Sequence, residues 1–201
     1  VIRHLLLDAD GVVQTIPGGW EEPARRILGD RSPEILEGLL VGELPALRGE
    51  GDFLPELRRA FERHGVEGDP DELYAALWNR IEVSTEMVDL VGRLRGTGYG
   101  VHLGTNQHRQ RAAYLRTELG YDEIFDVSCY SCELGAVKPE AAYFERALAL
   151  IDAPAAEVLF VDDNGANVEG ARVVGLAAEQ WRLDDGLPLL LELLGRHGVE
   201  V

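Results

Sequence analysis

The sequence predicts an α/β protein: a Rossmann-like parallel sheet flanked by helices, with an all-helical cap subdomain inserted after the first strand. Three observations lead there. Short apolar runs of strand length, Leu5-Leu6-Leu7 and Val158-Leu159-Phe160-Val161, each end abruptly in acids, Asp8-Ala9-Asp10 and Asp162-Asp163. From Thr85 onward strand-like and helix-like patterns alternate, which implies βα units and a sheet covered on both faces. Between the first two strands, an insert at 14–84 opens on a turn-rich stretch and from Glu21 to about Ser84 shows helical spacing and no convincing strand.

The elements follow in order. After Asp10-Gly11-Val12-Val13 the chain leaves through a turn-rich stretch containing Pro17, Gly18 and Gly19. Helices are predicted over 22–29, 33–42, 52–64 and 70–81. Phe53, Leu57, Ala60 and Phe61 recur at helical spacing, as do Leu73, Leu77 and Ile81. Asp69 is placed to cap the last of these helices, with Pro70 at its first position. Beyond them come helix 86–96, strand 99–103, helix 109–119, a short strand near 126–129, helix 140–151, strand 157–161, helix 165–174, strand 176–181 and helix 187–197. The expected organisation is a core of 1–13 and 85–201 interrupted by a cap at 14–84.

Composition narrows the function. The formal net charge of −17 over 201 residues argues against general phosphate-backbone binding to nucleic acid and against an anionic membrane surface. Arg3 and His4 precede only three leucines before Asp8, so no secretory leader is expected. No run approaches a transmembrane span. A cytoplasmic protein is expected, which the two cysteines of Cys129-x-x-Cys132 suit as small, partly buried side chains; Glu133-Leu134-Gly135 after them reads as a loop.

Chemistry concentrates in four segments at or just beyond strand ends: Asp8-Ala9-Asp10-Gly11, Gly104-Thr105-Asn106-Gln107, Gly135-Ala136-Val137-Lys138-Pro139 and Asp162-Asp163-Asn164. The C-terminal ends of strands are where open α/β sheets bind ligands. If the first and fourth segments are neighbours, up to four carboxylates converge. Two unit charges ~4 Å apart interact by roughly 4 kcal/mol at an effective dielectric of ~20. A hard cation held by carboxylate oxygens relieves that repulsion. A hydroxyl and backbone N–H groups hold phosphate oxygens, and a lysine adds a point charge to the same group. One carboxylate can attack phosphorus while a second, two residues away, handles the leaving-group proton.

In order and spacing these segments resemble the four motifs of the haloacid dehalogenase superfamily of hydrolases. Asp8-x-Asp10-Gly11-Val12 matches the first, Thr105-Asn106 the second, Lys138-Pro139 the third and Asp162-Asp163 the fourth. The tail Asp162-Asp163-Asn164-x-x-Asn167-Val168-x-Gly170-Ala171 is similar to the helical-cap branch with sugar-phosphate phosphatases and the phosphatase domain of epoxide hydrolases. The resemblance implies a Mg2+-dependent phosphomonoesterase acting on a small phosphorylated metabolite, with sugar phosphates the favoured class. It implies that Asp8 forms an aspartyl-phosphate and that Asp10 protonates the leaving alkoxide and then activates water. Thr105, with the backbone near Asn106, binds the phosphoryl group. Lys138 neutralises developing charge. Mg2+ is held by Asp8, the Asp10 carbonyl and Asp163, with Asp162 a second or water-mediated ligand.

Rival functions are a phosphomutase, which shares all four motifs, and a 2-haloacid dehalogenase, against which Asp10 and the acids at 162–163 argue. More distant are a receiver-like phospho-signalling module, usually shorter and without such an insert, and a silent binding protein, against which the intact motifs speak. Outside the motifs, His102 reads as structural and His108 as a surface residue at a helix start. Trp20, Trp78 and Tyr74 read as the core of the insert. Gln14 is a residue that can face the site, Arg48 one that can meet a substrate anion, and Gly18 and Gly19 are expected in a hinge.

Overall fold

The computed structural model describes all 201 residues, Val1–Val201. In chain order it runs β1 (His4–Leu7), β2 (Gln14–Thr15), α1 (Glu21–Leu28), α2 (Ser32–Leu47), α3 (Phe53–His64), α4 (Pro70–Leu77), β3 (Glu82–Val83), α5 (Thr85–Gly96), β4 (Gly100–Thr105), α6 (Arg109–Thr117), α7 (Tyr121–Ile124), β5 (Val127–Tyr130), α8 (Ser131–Leu134), α9 (Ala141–Ile151), β6 (Val158–Asp162), α10 (Gly165–Val173), β7 (Ala177–Gln180) and α11 (Leu187–Arg196).

Strands β5-β4-β1-β6-β7 form a parallel sheet with β1 at its centre. The chain builds outward from β1 to one side and then, at β6, to the other. That reversal opens a crevice at the C-terminal ends of β1, β4 and β6. Period-two alternation puts successive side chains on opposite faces. Leu5, Leu7, Leu159 and Val161 join one hydrophobic core with Met87, Leu90 and Leu190 of α5 and α11. Leu6, Val158 and Phe160 join a second with Phe144, Ala147 and Val168 of α9 and α10. Both faces are covered, which is why β1 and β6 are apolar throughout.

Helices α1–α4 enclose a third core of their own, built on Leu39, Phe53, Leu57, Leu73 and Trp78. The capping prediction for α4 holds: the Asp71 N–H donates to the Asp69 carboxylate at 2.9 Å. Two details of the insert differ from expectation. It is not all helix, because Gln14 pairs with Val83 and Thr15 with Glu82 in a short antiparallel ribbon at its root. The final helix stops at Leu77 rather than residue 81. The Trp78 carbonyl accepts a hydrogen bond from Arg111 Nε at 2.7 Å, and Ile81 N–H turns back to the Asn79 carbonyl at 3.0 Å.

The segment after Cys129 is also not a loop. Ser131–Leu134 form one helical turn closed by Gly135 at φ +68°. Both thiols are buried, and burial pushes Cys129 up to about 12 and Cys132 up to about 11. Thiols so far from ionisation are poor nucleophiles and poor metal ligands. No helix is long and apolar enough to cross a membrane.

Candidate active site

Asp8 immediately follows β1, and its backbone stays in the ladder through an N–H to the Val161 carbonyl at 2.9 Å. The neighbouring loop is drawn tightly against the end of β6. Gly11 sits at φ +80°, and a Cβ there would lie 2.6 Å from Asp163 Oδ2. Only glycine satisfies both the left-handed backbone and the close approach.

The loop after α8 carries Lys138 into the crevice. Its Nζ lies 2.8 Å from Asp8 Oδ1 and 2.6 Å from Asp162 Oδ2, and the side chain is 1% exposed. Asn106 holds this loop in place. Its amide donates to the Lys138 carbonyl at 3.0 Å, and its Oδ1 accepts the Lys138 N–H at 2.9 Å. The Asn106 side chain is thereby spent on the loop, and what it can offer a ligand is its backbone. Thr105, at the end of β4, is buried with its Oγ1 accepting from Gln107 Nε2 at 2.8 Å.

Asp162 is fully buried and fully engaged. Besides Lys138, it accepts from the Asn164 N–H at 2.8 Å and from the Asn167 amide at 3.0 and 3.1 Å. Asp163 is the opposite case: no side-chain hydrogen bond reaches its carboxylate, and burial and the Asp162 charge raise its pKa. Burial also pushes Asp8 up to about 7 against the pull of Lys138, with Asp162 adding to the rise. Asp8 Oδ1 takes the Ala9 N–H at 2.7 Å as well as Lys138, which leaves Oδ2 without a donor.

Oxygens of Asp8, Asp162 and Asp163 lie within 4.8 Å of one another. One ammonium compensates two buried carboxylates there, and Asp163 adds a third without a partner. An all-oxygen, net-negative donor set of this kind fits a hard divalent cation such as Mg2+. The cavity above these groups is about 360 Å3 and is lined by six of the seven residues expected from sequence, Asp8, Asp10, Thr105, Asn106, Lys138 and Asp163, while the seventh, Asp162, is fully buried behind Lys138. Thr15 and Ile16 close one side. A larger cavity of about 740 Å3 opens at the opposite, N-terminal end of the strands, beside Arg3, His4 and Gly100, away from every one of these groups.

Asp10 holds the least expected arrangement. Arg111 donates from Nη1 to Oδ2 at 2.6 Å and from Nη2 to Oδ1 at 2.8 Å. Gln14 Nε2 adds a bond to Oδ1 at 2.8 Å and Gln107 Nε2 one to Oδ2 at 3.2 Å. Burial works to raise this carboxyl, but Arg111 and the two amides outweigh it and hold it below its usual range. Gln14 thus meets the site through Asp10, and Tyr121 Oη fixes it by donating to its Oε1 at 2.6 Å. Gln107 lies in the second of the chemistry-bearing segments, but nothing in the sequence marks Arg111 as a site residue. An arginine three positions into a helix reads as solvated, and only the packing of α6 under the insert buries it.

His108 is a correction. It is the N-cap of α6 as expected, but it is fully buried rather than on the surface. The insert covers it: Phe53 stacks on its ring at 4.9 Å, and Glu43 of α2 approaches its Nε2 at 3.3 Å. Trp78 Nε1 donates to the same Glu43 oxygen at 3.0 Å. Burial pushes the Glu43 carboxyl up to about 7, against the Trp78 bond. Burial, with the nearby Arg111 charge, pulls His108 down to about 3. Glu43 therefore contributes stability that is fully present below about 4.5 and lost as pH rises through about 7. His108 contributes stability present above about 6.5 and lost as pH falls towards 3. Glu43→Gln isolates the first effect. Urea unfolding between pH 4.5 and 8 is expected to show the native protein losing on the order of 2–3 kcal/mol relative to the variant. A difference independent of pH overturns the assignment.

Other candidates sit elsewhere. Arg48 is paired with Glu140 across the insert boundary and is not free for a substrate anion. Trp78 and Tyr74 are core residues of the insert, with Trp20 packed on Trp78 at 5.0 Å. His102 is buried against His4 at 3.1 Å, and burial, then His4, lowers it to about 4.

Fold and site together define an α/β protein with an acid-rich crevice at the C-terminal ends of its central strands and an inserted helical unit. The family model for haloacid dehalogenase-like hydrolases matches residues 2–175, and the chain belongs to that family. Among curated relatives, a sesquiterpene phosphatase, astK, of Aspergillus oryzae is 32% identical over 152 residues, 66% of this chain and 75% of that protein. A pyrophosphatase, PpaX, of Bacillus thuringiensis is 31% identical over 105 residues, 51% of this chain and 49% of its own length. A HAD family enzyme from Bacteroides thetaiotaomicron, solved as a magnesium complex, superposes with a TM-score of 0.80 at 21% identity, covering 94% of this chain and 98% of that one.

Proposed function

We propose that the protein is a Mg2+-dependent phosphomonoester hydrolase that works on a small phosphorylated metabolite through an aspartyl-phosphate. The observation that carries this reading is the Lys138 ammonium shared by Asp8 and Asp162, which orients Asp8 and leaves its Oδ2 free to attack. Phosphatase relatives in the same family support it.

In the first step Asp8 Oδ2 attacks phosphorus in line while the bond to the ester oxygen breaks. Asp10 in its acid form passes its proton to the leaving oxygen. In the second step water attacks the aspartyl-phosphate, Asp10 takes the water proton, and inorganic phosphate leaves as Asp8 is regenerated. The Thr105 hydroxyl donates to a non-bridging phosphoryl oxygen, joined by the Asn106 backbone. Lys138 offsets the negative charge that builds on those oxygens. Asp8, Asp163 and the Asp10 carbonyl are the groups that would hold Mg2+, with Asp162 behind them through Lys138 or a water. Bound there, the ion supplies further charge compensation to the phosphoryl group.

Residues 14–84 act as the cap over this site, and the ribbon of β2 and β3 is its root. Gly18 and Gly19, at φ +70° and +68°, supply the freedom for it to flex. The 360 Å3 cavity favours a compact phosphate ester, with sugar phosphates the leading class. Phosphate release from a panel of phosphorylated metabolites and an aryl phosphate tests the proposal. Turnover that requires Mg2+ and stops with excess chelator is expected. Silence across the panel from folded protein would redirect the assignment to a mutase or a dehalogenase.

A further inference from the structure

Contacts at the C-terminal half of α2 fix how that helix is turned towards the core. Glu43 approaches Nε2 of His108, which caps α6 at the end of the Asn106 loop, at 3.3 Å. Arg48, at the end of α2, pairs with Glu140, which precedes α9 at the end of the Lys138 loop. Gly49 then packs on the Cys132 carbonyl of α8 so closely that a Cβ has no room. A helix advances about 100° per residue. Measured from Glu43, Leu40 lies ~60°, Leu44 ~100° and Arg48 ~140° round α2. The two leucines therefore face the core, between the loop of Asn106 and the loop of Lys138, which hydrogen-bond to each other. Ile35, Leu39 and Ala46 lie on the other side of Glu43 and fill the third core. Leu40 and Leu44 fill nothing: they are 48% and 39% exposed. They look into an open seam between α2 and the two loops.

That seam borders the cavity over Asp8, and its free surface is apolar. The amide side chains lining the cavity are tied to the protein: Asn106 by both ends to Lys138, Asn167 to Asp162, and Asn164 to the Ala166 N–H. Arg48 is tied to Glu140. The hydroxyls of a sugar would exchange water for few free partners there. A hydrocarbon would meet Ile16 in the cavity wall, then Leu44 and Leu40, which stand ~6 Å and ~12 Å along α2 from Arg48.

We propose that Leu40 and Leu44 form the leaving-group subsite, and that the substrate is the phosphate monoester of an aliphatic alcohol long enough to leave the cavity. Its phosphoryl group sits over Asp8 and its chain lies along α2, covering the two leucines. The inference rests on the proposed hydrolysis and narrows its alcohol: cavity volume alone puts sugar phosphates first, and the seam turns the preference to hydrocarbon.

The readout is the ratio of kcat/KM for octyl phosphate, below its micelle-forming concentration, to that for ethyl phosphate, with glucose 6-phosphate beside them and Mg2+ present. A fully buried methylene is worth about fourfold. A chain half covered by the seam should therefore raise the ratio to on the order of 10². Leu40→Gln and Leu44→Gln should each lower it by about fivefold, while Leu40→Met and Leu44→Met, which stay apolar, keep it near the native value. Val41→Gln is the control. Val41 is more exposed still, at 72%, but lies ~160° round from Glu43, outside the sector, and its loss should not move the ratio. Calorimetric binding of octylphosphonate and ethylphosphonate, which are not hydrolysed, repeats the comparison without chemistry. Thermal melts establish that each variant is folded.

A ratio near one, or faster turnover of glucose 6-phosphate than of octyl phosphate, overturns the subsite while the hydrolysis stands. A high ratio that survives in both Gln variants, or that falls equally in Val41→Gln, puts the chain elsewhere and overturns it too. If no ester is hydrolysed, the phosphonates decide. Tighter binding of octylphosphonate that is lost in the two Gln variants upholds the subsite and fails the hydrolysis reading; equal binding of the two phosphonates overturns the subsite as well.

Discussion

Asp8→Asn is expected to remove phosphate release by about 10⁴-fold or more, the scale on which loss of a covalent nucleophile acts, while leaving the protein at least as stable. The two halves of that expectation come from the same geometry. Asparagine matches aspartate in shape and keeps an oxygen for the Ala9 N–H, so the loop between β1 and Gly11 need not move. What is lost is one of the two negative charges against Lys138. Those two carboxylates face each other across a single ammonium, and burial with Asp162 pushes Asp8 up to about 7 despite it. Taking the charge from Asp8 leaves Lys138 and Asp162 as a balanced buried pair. Calorimetry at pH 8 should therefore give a melting temperature equal to or above that of the native protein, and colorimetric phosphate assay should give no turnover. A variant that keeps more than about 1% of native turnover places the nucleophile elsewhere.

Much of this was legible in the chain because the relevant signals are local. A run such as Leu5-Leu6-Leu7 has to be buried on both faces, and the acid that follows it has to sit at the strand end. Two runs of this kind place Asp8 and the pair Asp162-Asp163 at strand ends, whereas Lys138 was legible only through the resemblance of Lys138-Pro139 to a family motif. The extent of α4 was not legible, because its last turn is ended by a hydrogen bond from Arg111, 33 residues on. The ribbon of Gln14-Thr15 with Glu82-Val83 has only two residues per strand, too few for a period to register. His108, Glu43 and Arg111 are polar residues whose burial depends on α2 and α4 lying across α6, a docking that no local pattern encodes. That docking completes the surroundings of Asp10.

Lys138→Met tests the same cluster with the opposite sign. Methionine approximates the lysine stem and fills its place beside Phe160, whose ring lies 5.4 Å from Nζ. The ammonium is lost, and two buried carboxylates are left facing each other without a cation. Breaking a buried ion pair from one side costs about 3–5 kcal/mol, so this variant should be clearly less stable where Asp8→Asn is not. The deficit should also depend on pH. A carboxyl whose folded pKa is raised contributes stability that is present below its ordinary value, 3.8 for Asp8, and lost as pH rises through the folded one, about 7 in the native protein. Without Lys138 the folded value climbs further, and the loss continues through the alkaline range. Urea unfolding at pH 5 and pH 8 should therefore show a larger deficit at pH 8. If Mg2+ binds at Asp8 and Asp163 as proposed, it would stabilise the folded state by mass action and should recover part of that deficit, since it brings positive charge back to the same oxygens. Turnover should not return with it, because Asp162 still has no bridge to Asp8 and the attacking oxygen is no longer held in line. A Lys138→Met protein as stable as the native one at both pH values would mean that the three carboxylates do not share their charge through this lysine.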